Sequence, residues 1–192
     1  LNDFIAGLKT LLKTEGVITL EFPSLLKLIE QNQFDTIYHE HFSYFSFLTV
    51  EKIFSYHGLT IFDVDELKTH GGSLRIYVQH QESIEYPISK NVLLVKQMEK
   101  KRGLDKISSY LNFTKQIEET KQKLYSFLTK IKQLGKSIVA YGAPAKGNTL
   151  LNYCNIGTDL IDYTVDLNPR KQGRYLPGTH IPIYHPDKIK DT

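Results

Sequence analysis

Two strand-like segments that lie close together in the sequence constrain the fold of this chain more than any other feature. Residues 59–67 and 73–79 are rich in β-branched and aromatic side chains, and only five residues separate them. Because a crossover helix needs roughly a dozen residues or more, the two strands must pair antiparallel. Upstream, the pattern predicts a buried strand at 17–22 and helices at 2–14, 25–31 and 50–56, the last one capped by Thr49. This order of elements predicts an α/β sheet with an antiparallel edge.

The second half of the chain starts with helices and ends in another α/β unit. Residues 83–134 carry apolar stripes at helical spacing, and Gly135 opens a unit in which strands and a helix alternate. The pattern predicts strands at 137–141, 160–165 and 181–184, and a helix at 150–154. We therefore predict two parts, one at 1–82 and one at 83–192, the second being a helical connection followed by a second α/β unit.

The composition excludes several classes of protein. Charged residues make up 23% of the chain and the net charge is only +3, so a dedicated nucleic-acid surface is not expected. The single cysteine, Cys154, excludes an internal disulfide framework and a multi-cysteine zinc site. No apolar run approaches the roughly 20 residues that span a bilayer, which predicts a cytoplasmic protein without membrane contact. Because the sequence begins with Leu1 inside a helical pattern, we interpret the chain as a fragment.

The segment with the most reactive side chains spans residues 34–46, where five of thirteen side chains are aromatic. Four consecutive positions hold a phenol, two imidazoles and a carboxylate, namely Tyr38, His39, Glu40 and His41. Aromatic walls would exclude water from these groups, and desolvation is one way in which proteins move pKa values toward neutrality. The segment therefore predicts an active site for proton abstraction.

Three interpretations of this cluster are open from the residues alone. In the first, the two histidines are satisfied within an aromatic core and have no chemical role. In the second, His39 and His41 bind a metal from one face of a strand, although no other histidine has a fixed spacing that would make it the further ligand. In the third, a histidine acts as a general base near neutral pH with its neighbours in support.

A glycine-containing turn in the second half is close to a phosphate-binding loop. Gly142 and Gly147 have the required spacing, but Asn148 stands where the lysine should be, and Lys146 lies two positions too early. A helix N-terminus still attracts phosphate, and Asp166 follows the next strand, where Rossmann-type domains place a ribose-binding acid. A turn without any ligand explains this pattern equally well.

A second glycine-rich turn joins the paired strands of the first half. His70 precedes Gly71 and Gly72, and Arg75 follows within the next strand. The glycines would let a ligand approach the backbone closely, and Arg75 would meet an anionic or carbonyl oxygen. A flexible hairpin turn without a ligand is the alternative.

Three segments in this order resemble the sugar C-methyltransferases: YHEHFSYFS at 38–46, HGGSLR at 70–75 and GAPAKGNT at 142–149. The resemblance spans almost the whole chain. It implies an S-adenosylmethionine-dependent enzyme that methylates C3 of a nucleotide-linked 4-keto sugar, such as a dTDP-sugar. Residues 1–82 would then form the second half of a class I methyltransferase domain, and residues 83–192 the helical connection and the Rossmann-like C-terminal domain of the family.

The resemblance also implies which residues catalyse the reaction or bind the substrate, and which parts of the family's proteins lie outside this chain. The main S-adenosylmethionine site and a zinc-binding N-terminal part of the family would both be outside this chain, which predicts a fragment that is inactive by itself and holds no metal. His41 would remove the C3 proton to give an enolate, and Tyr38 and Glu40 would line the site. Substrate contacts are expected from His39, His70, Gly72, Arg75, Gly142, Lys146, Gly147, Asn148 and Asp166. The competing interpretation is a non-catalytic Rossmann-like module that binds a nucleotide sugar.

Overall fold

The computed structural model of the protein describes residues 1–191, which form two compact units. The first unit contains residues 1–33 and 43–113, and the second contains residues 34–42 and the chain from Thr114 onward. The mixture of helices and small sheets in both units confirms the α/β class, whereas the predicted domain boundary stays a prediction. In the described part of the chain, no helix is both long enough and apolar enough to cross a membrane.

The first unit is built on an antiparallel sheet of three strands. Its elements are α1 (Asn2–Leu11), β1 (Ile18–Pro23), α2 (Leu25–Glu30), α3 (Phe47–Tyr56), β2 (Leu59–Leu67), β3 (Ser73–His80) and α4 (Lys90–Lys101). The strand order is β1-β3-β2, and β3 runs antiparallel to both of its neighbours. The predicted antiparallel pairing of the two strands that follow each other is therefore confirmed.

The core of the first unit forms between this sheet and the helices α1, α3 and α4. Side chains alternate across the sheet along β3, so that Leu74, Ile76 and Val78 are all buried. In the strand register, Ile76 is opposite Leu20 of β1 and Val64 of β2. Ile76 therefore occupies the centre of the sheet and has apolar neighbours on both adjoining strands.

The start of α3 differs from the prediction. The sequence predicts Thr49 as the N-cap, but α3 begins at Phe47 and is capped by Ser46. The Ser46 hydroxyl accepts a hydrogen bond from the Thr49 backbone N–H at 3.2 Å. Serine and threonine are both good N-caps, so local preference does not choose between them. Burial of the Phe47 side chain, which requires position 47 to be helical and face the core, explains the earlier start.

The second unit is built on a parallel sheet of three short strands. Its elements are α5 (Ile107–Gln133), whose first residues belong to the first unit, β4 (Val139–Tyr141), α6 (Ala145–Cys154), β5 (Tyr163–Val165) and β6 (Ile183–Tyr184). The strand order is β4-β5-β6, and both pairs are parallel. Since parallel strands need a crossover, α6 provides the connection between β4 and β5.

The core of the second unit forms where α5 and α6 cover the sheet. Leu128 of α5, Cys154 of α6 and Ile183 of β6 are buried in one apolar cluster. Burial raises the pKa of the Cys154 thiol above its ordinary value, which favours the protonated form. This thiol is free and lies in the core of the unit.

Candidate functional site

The segment that contains the two neighbouring histidines begins with a buried aromatic anchor. Phe34 starts a short 3-10 helix, Phe34–Thr36, and its ring lies 5.3 Å from the ring of Tyr153 in α6. The chain then turns, since the His41 backbone N–H donates to the Tyr38 carbonyl oxygen at 3.1 Å. The interpretation in which His39 and His41 bind a metal from one face of a strand is therefore wrong, because a turn does not alternate side chains as a strand does.

The turn brings the phenol and the two imidazoles together. The ring centroid of Tyr38 lies 5.2 Å from that of His41 and 6.1 Å from that of His39, and both contacts are edge-on. His41 is half-buried, whereas His39 and Glu40 are exposed. The prediction that aromatic side chains enclose these groups is wrong for Phe42, because its side chain is 97% exposed. A half-buried imidazole beside a phenol is a pair of groups suited to proton transfer.

Metal binding has no support from the side chains of this structure. Among residues 1–191, no group of three or more His, Cys, Asp or Glu side chains is placed to hold a metal ion. The zinc that the family resemblance implies elsewhere therefore has no set of ligands in the described part of the chain.

The glycine-rich turn between β2 and β3 is shaped by packing within the first unit. His70, Gly71 and Gly72 all have positive φ angles, of 53°, 82° and 124°. The Gly72 carbonyl oxygen accepts a hydrogen bond from the Ser24 backbone N–H at 2.9 Å, and a Cβ atom on Gly72 would lie 2.7 Å from Cγ of Lys27. Close approach of the protein's own chain thus requires Gly72, whether or not a ligand also approaches it.

Arg75 lies in a chain of polar contacts across the sheet. Its guanidinium donates to the Glu21 carboxylate at 3.0 Å, and the Thr69 hydroxyl donates to the other oxygen of Glu21 at 2.8 Å. The hydrogen bond from Thr69, followed by that from Arg75, lowers the pKa of Glu21, and Glu21 in turn raises the pKa of Arg75. Tyr77 extends the chain by donating to Asp65 at 2.8 Å. These contacts favour the charged form of Arg75 and orient its guanidinium toward Glu21.

The turn at Gly142 is shorter than the sequence predicts. Gly142 has a φ of 96°, and its N–H donates to the Val165 carbonyl oxygen at 2.6 Å. The predicted helix at 150–154 instead begins at Ala145, so that residues 146–148 lie in the first turn of α6. The prediction of a long phosphate-type loop is therefore wrong. The reason is local, because Asn148 N–H already donates to the Pro144 carbonyl oxygen and closes the first helical turn.

The N-terminus of α6 contains one orphaned polar atom. Its first residue follows Pro144, and no side chain caps the helix. The Oδ1 atom of Asn148 is buried and has no hydrogen-bond partner among the described residues. A buried acceptor without a donor is costly, so a ligand that donates to it or displaces it toward solvent would relieve that cost.

Asp166 organises the loops beside this helix end. One carboxylate oxygen accepts from the Ala143 N–H at 2.7 Å and from the Lys171 ammonium at 3.1 Å, and the other accepts from the Asn168 N–H at 2.8 Å. Lys171 also donates to the Ala143 carbonyl oxygen at 2.9 Å. Asp166 thus ties the residues after β4 to those after β5, and its predicted contact with a ribose stays a prediction.

Asp166→Asn should remove one source of acid sensitivity from the second unit. The hydrogen bond from the Asn168 N–H, with further help from Ala143 and Lys171, lowers the pKa of Asp166 in the folded chain. A carboxyl group with a depressed folded pKa stabilises the fold above its unfolded pKa of about 3.9, and this contribution is lost as the pH falls through the folded value. We expect the variant to be less stable than the unmodified chain at pH 7. Its melting temperature should also fall less when the pH is lowered below about pH 5.

Thermal unfolding followed by circular dichroism at several pH values measures this difference. Lys171→Ala is the matched control, and its effect on the pH dependence should be smaller because a backbone N–H is the main cause of the low pKa. Identical pH dependence in the Asp166→Asn variant and the unmodified chain would contradict the assignment.

The structure groups the predicted site residues into three local sets. Tyr38, His39 and His41 come together in the second unit, as do Gly142 and Asp166 with the start of α6. His70, Gly72 and Arg75 belong to the first unit. Sequence reasoning missed Glu21 and Thr69. Glu21 gave no signal of its own, because a carboxylate at an exposed position of an alternating strand is ordinary.

Comparison with known proteins identifies related sequences. The family described as "C-methyltransferase C-terminal domain" matches residues 68–192. A curated relative, the C-methyltransferase NovU of Streptomyces niveus, is 33% identical over 188 residues, which cover 98% of this chain and 44% of the relative. The chain thus spans less than half the length of that relative.

Proposed function

This chain belongs to the C-methyltransferase family, and from that premise we propose that it supplies the proton-abstracting residues of an enzyme that methylates C3 of a nucleotide-linked 4-keto sugar. The observation that carries the proposal is the turn at 38–41, which sets a half-buried imidazole against a phenol. A base and a hydrogen-bond donor side by side are what the removal of a proton next to a ketone requires.

The proposed chemistry begins with His41. Its imidazole takes the proton from C3, the C–H electron pair moves toward the C4 carbonyl, and negative charge develops on the C4 oxygen. Tyr38 or His39 donates a hydrogen bond to that oxygen and stabilises the enolate. Glu40, which is exposed, lines the entrance to the site. In the first unit, Arg75, with His70 and Gly72 near it in sequence, would contact an anionic or carbonyl oxygen of a ligand.

No glycine-rich turn that would cradle the methyl donor follows β1 in the described part of the chain. S-Adenosylmethionine, the methyl donor of methyltransferases in general, supplies an electrophilic methyl group. In the first unit β1 runs through Pro23 and Ser24 directly into α2, and no glycine-rich turn follows β1 before a helix. This supports the proposal that the cofactor's main site lies in other parts of a longer protein, as does the 44% coverage of the relative. We expect this chain by itself to be inactive.

The order of the strands supports the proposed domain assignment. In the first unit β3 lies between β1 and β2 and is antiparallel to both, which is the arrangement expected at one end of a class I methyltransferase sheet. Residues 1–82 would then be the second half of that domain. Residues 83–192 would be the helical connection and a Rossmann-like C-terminal domain, in keeping with the parallel strands of the second unit.

The N-terminus of α6 is the proposed site for the diphosphate of a dTDP-type substrate. No side chain caps the helix, and the N–H groups of residues 145–147 precede the first intrahelical hydrogen bond, so they would be available to an anion. Lys146 and Gly147 lie in this turn, and Gly142 precedes it. The orphaned Asn148 Oδ1 would accept from the ribose hydroxyl of the nucleotide, because the ionised diphosphate has no hydrogen to donate. Asp166 would act by holding Ala143 and Lys171 in place beside the ligand.

A titration of this chain with dTDP tests the nucleotide part of the proposal. We expect a dissociation constant at or below about 1 mM, with the largest NMR shifts at the amides of residues 145–147. Asn148→Ala should weaken binding by about threefold to tenfold, since one hydrogen bond is lost.

Two controls make the titration decisive. Thr149→Ala is the matched variant, because the Thr149 hydroxyl bonds only back to the Ala145 carbonyl oxygen at 3.1 Å, and it should bind dTDP like the unmodified chain. Thymidine, which lacks the diphosphate, should bind much more weakly. Absence of binding at about 10 mM dTDP would leave α6 with a structural role only. Binding without methyl transfer in a longer protein that contains this chain would favour the non-catalytic module.

A further inference from the structure

We propose that Glu99 is a positioning residue that fixes the end of the 38–46 segment by holding the N-terminus of α3. This inference rests on the proposed function, since it gives that segment its importance. Glu99 lies in α4, more than fifty positions away in sequence from the two backbone groups that it binds. Nothing in the local sequence marks it, because it stands between Met98 and a run of lysines.

The carboxylate of Glu99 binds two adjacent backbone amides. Oε1 accepts from the Phe47 N–H at 2.8 Å, and Oε2 accepts from the Leu48 N–H at 2.9 Å. Both amides belong to the first turn of α3, where N–H groups have no intrahelical acceptor. A carboxylate at this place also interacts favourably with the positive end of the helix dipole.

Because burying a carboxylate costs free energy, Glu99 is an unfavourable residue for capping a helix and nothing more. The residue is 0% exposed, and it forms no ion pair with a cation of the described chain. Burial raises the pKa of Glu99, and the two amide hydrogen bonds act in the opposite direction. A serine already caps the same helix, since Ser46 accepts from the Thr49 N–H. The first three amides of α3 are therefore all bound by side chains, which is more than helix formation needs.

The residues immediately before α3 are held as well. The Phe45 carbonyl oxygen accepts from the Leu25 N–H at 3.1 Å, and the Phe45 ring packs edge-on against Phe22 at 5.9 Å. Together with the Glu99 contacts, these bonds fix residues 45–48 to three different elements of the first unit. His41 precedes this fixed stretch by only a few residues of chain, so the clamp fixes the place at which the reactive segment ends.

Loss of a contact that only stabilises the packing of α3 against α4 should not affect residues 43–48. The chain contains such a contact, which serves as a comparison. Lys96 of α4 and Glu51 of α3 form an ion pair at 2.7 Å. This pair joins the same two helices but touches neither the first turn of α3 nor residues 45–48. Glu51→Gln is therefore a matched control for Glu99→Gln.

Hydrogen exchange on the chain itself measures the clamp without any assay of activity. Glu99→Gln keeps the shape but replaces one acceptor oxygen with an NH₂ group, which cannot accept from an amide. We expect the amides of Phe47 and Leu48, and those of residues 43–46, to exchange about tenfold to a hundredfold faster, with β2 and β3 unchanged. Glu51→Gln should leave residues 43–48 within about twofold of the unmodified chain. Glu99→Asp, which keeps the charge but reaches only one amide, should lie between them.

Uniform faster exchange over β2, β3 and residues 43–48 would overturn the proposal, because it would mean a loss of global stability only. Unchanged exchange at residues 43–48 would overturn it as well. In a longer, active protein, Glu99→Gln should lower kcat about tenfold to a hundredfold with little change in KM. If the His41 variant described below keeps full turnover, the proposed function fails, whereas the exchange experiment still decides whether Glu99 holds the segment.

Discussion

His41→Asn lowers the rate of methyl transfer by about a thousandfold in our expectation, because a positioned general base contributes roughly 10²- to 10⁴-fold to catalysis. Asparagine has a similar shape and can form hydrogen bonds, but it cannot take a proton from carbon. Binding of S-adenosylmethionine should stay unchanged, since the turn at 38–41 holds the base and not the cofactor. The measurement is the formation of methylated sugar by mass spectrometry in a longer protein that carries this chain, with cofactor binding followed by calorimetry.

His39→Asn is the control for this experiment. His39 lies in the same turn and is exposed, with its ring 6.1 Å from that of Tyr38. If it only donates a hydrogen bond to the developing oxyanion, or does nothing, its replacement should cost less than the loss of the base. Full turnover by the His41 variant would eliminate His41 as the base. If the two variants lose the same fraction of turnover, their pH–rate profiles would have to decide which histidine is the base.

Ile76→Ala has the largest expected effect on stability. The Ile76 side chain is 0% exposed in the central strand β3, opposite Leu20 and Val64. Truncation of a buried isoleucine removes transfer free energy and leaves a cavity, which together cost about 2–5 kcal/mol. We expect the free energy of unfolding of the first unit to fall by this amount in urea titrations followed by circular dichroism, with an unchanged slope.

Ile84→Ala is the matched substitution on the surface. The Ile84 side chain is 96% exposed, so its replacement should change the free energy of unfolding by no more than about 0.5 kcal/mol. Similar losses in the two variants would contradict the central position of Ile76 in the core of the first unit.

The candidate site shows how far sequence reasoning reaches at the level of single residues. It singled out Tyr38, His39 and His41 because reactive side chains at adjacent positions are visible in the sequence itself. The metal-binding interpretation required His39 and His41 on one face of a strand, and the hydrogen bond from the His41 N–H to the Tyr38 carbonyl oxygen shows a turn there instead. The roles of these residues stay predictions that the variants above can test.

The sequence by itself determined the order of the elements and the antiparallel pairing of β2 with β3. A connection of a few residues allows no other pairing, and the spacing of apolar residues predicts helices and strands through interactions that are local along the chain. The C-methyltransferase family was likewise recognisable from three local segments.

Only the tertiary structure decided where the polar groups find their partners. Glu99 looks like one more charge beside a lysine run, yet it is completely buried and binds α3. Arg75 was assigned to a ligand, yet its guanidinium binds Glu21. These partners are about fifty residues apart in sequence, and only packing brings them within the short range over which a hydrogen bond or an ion pair acts.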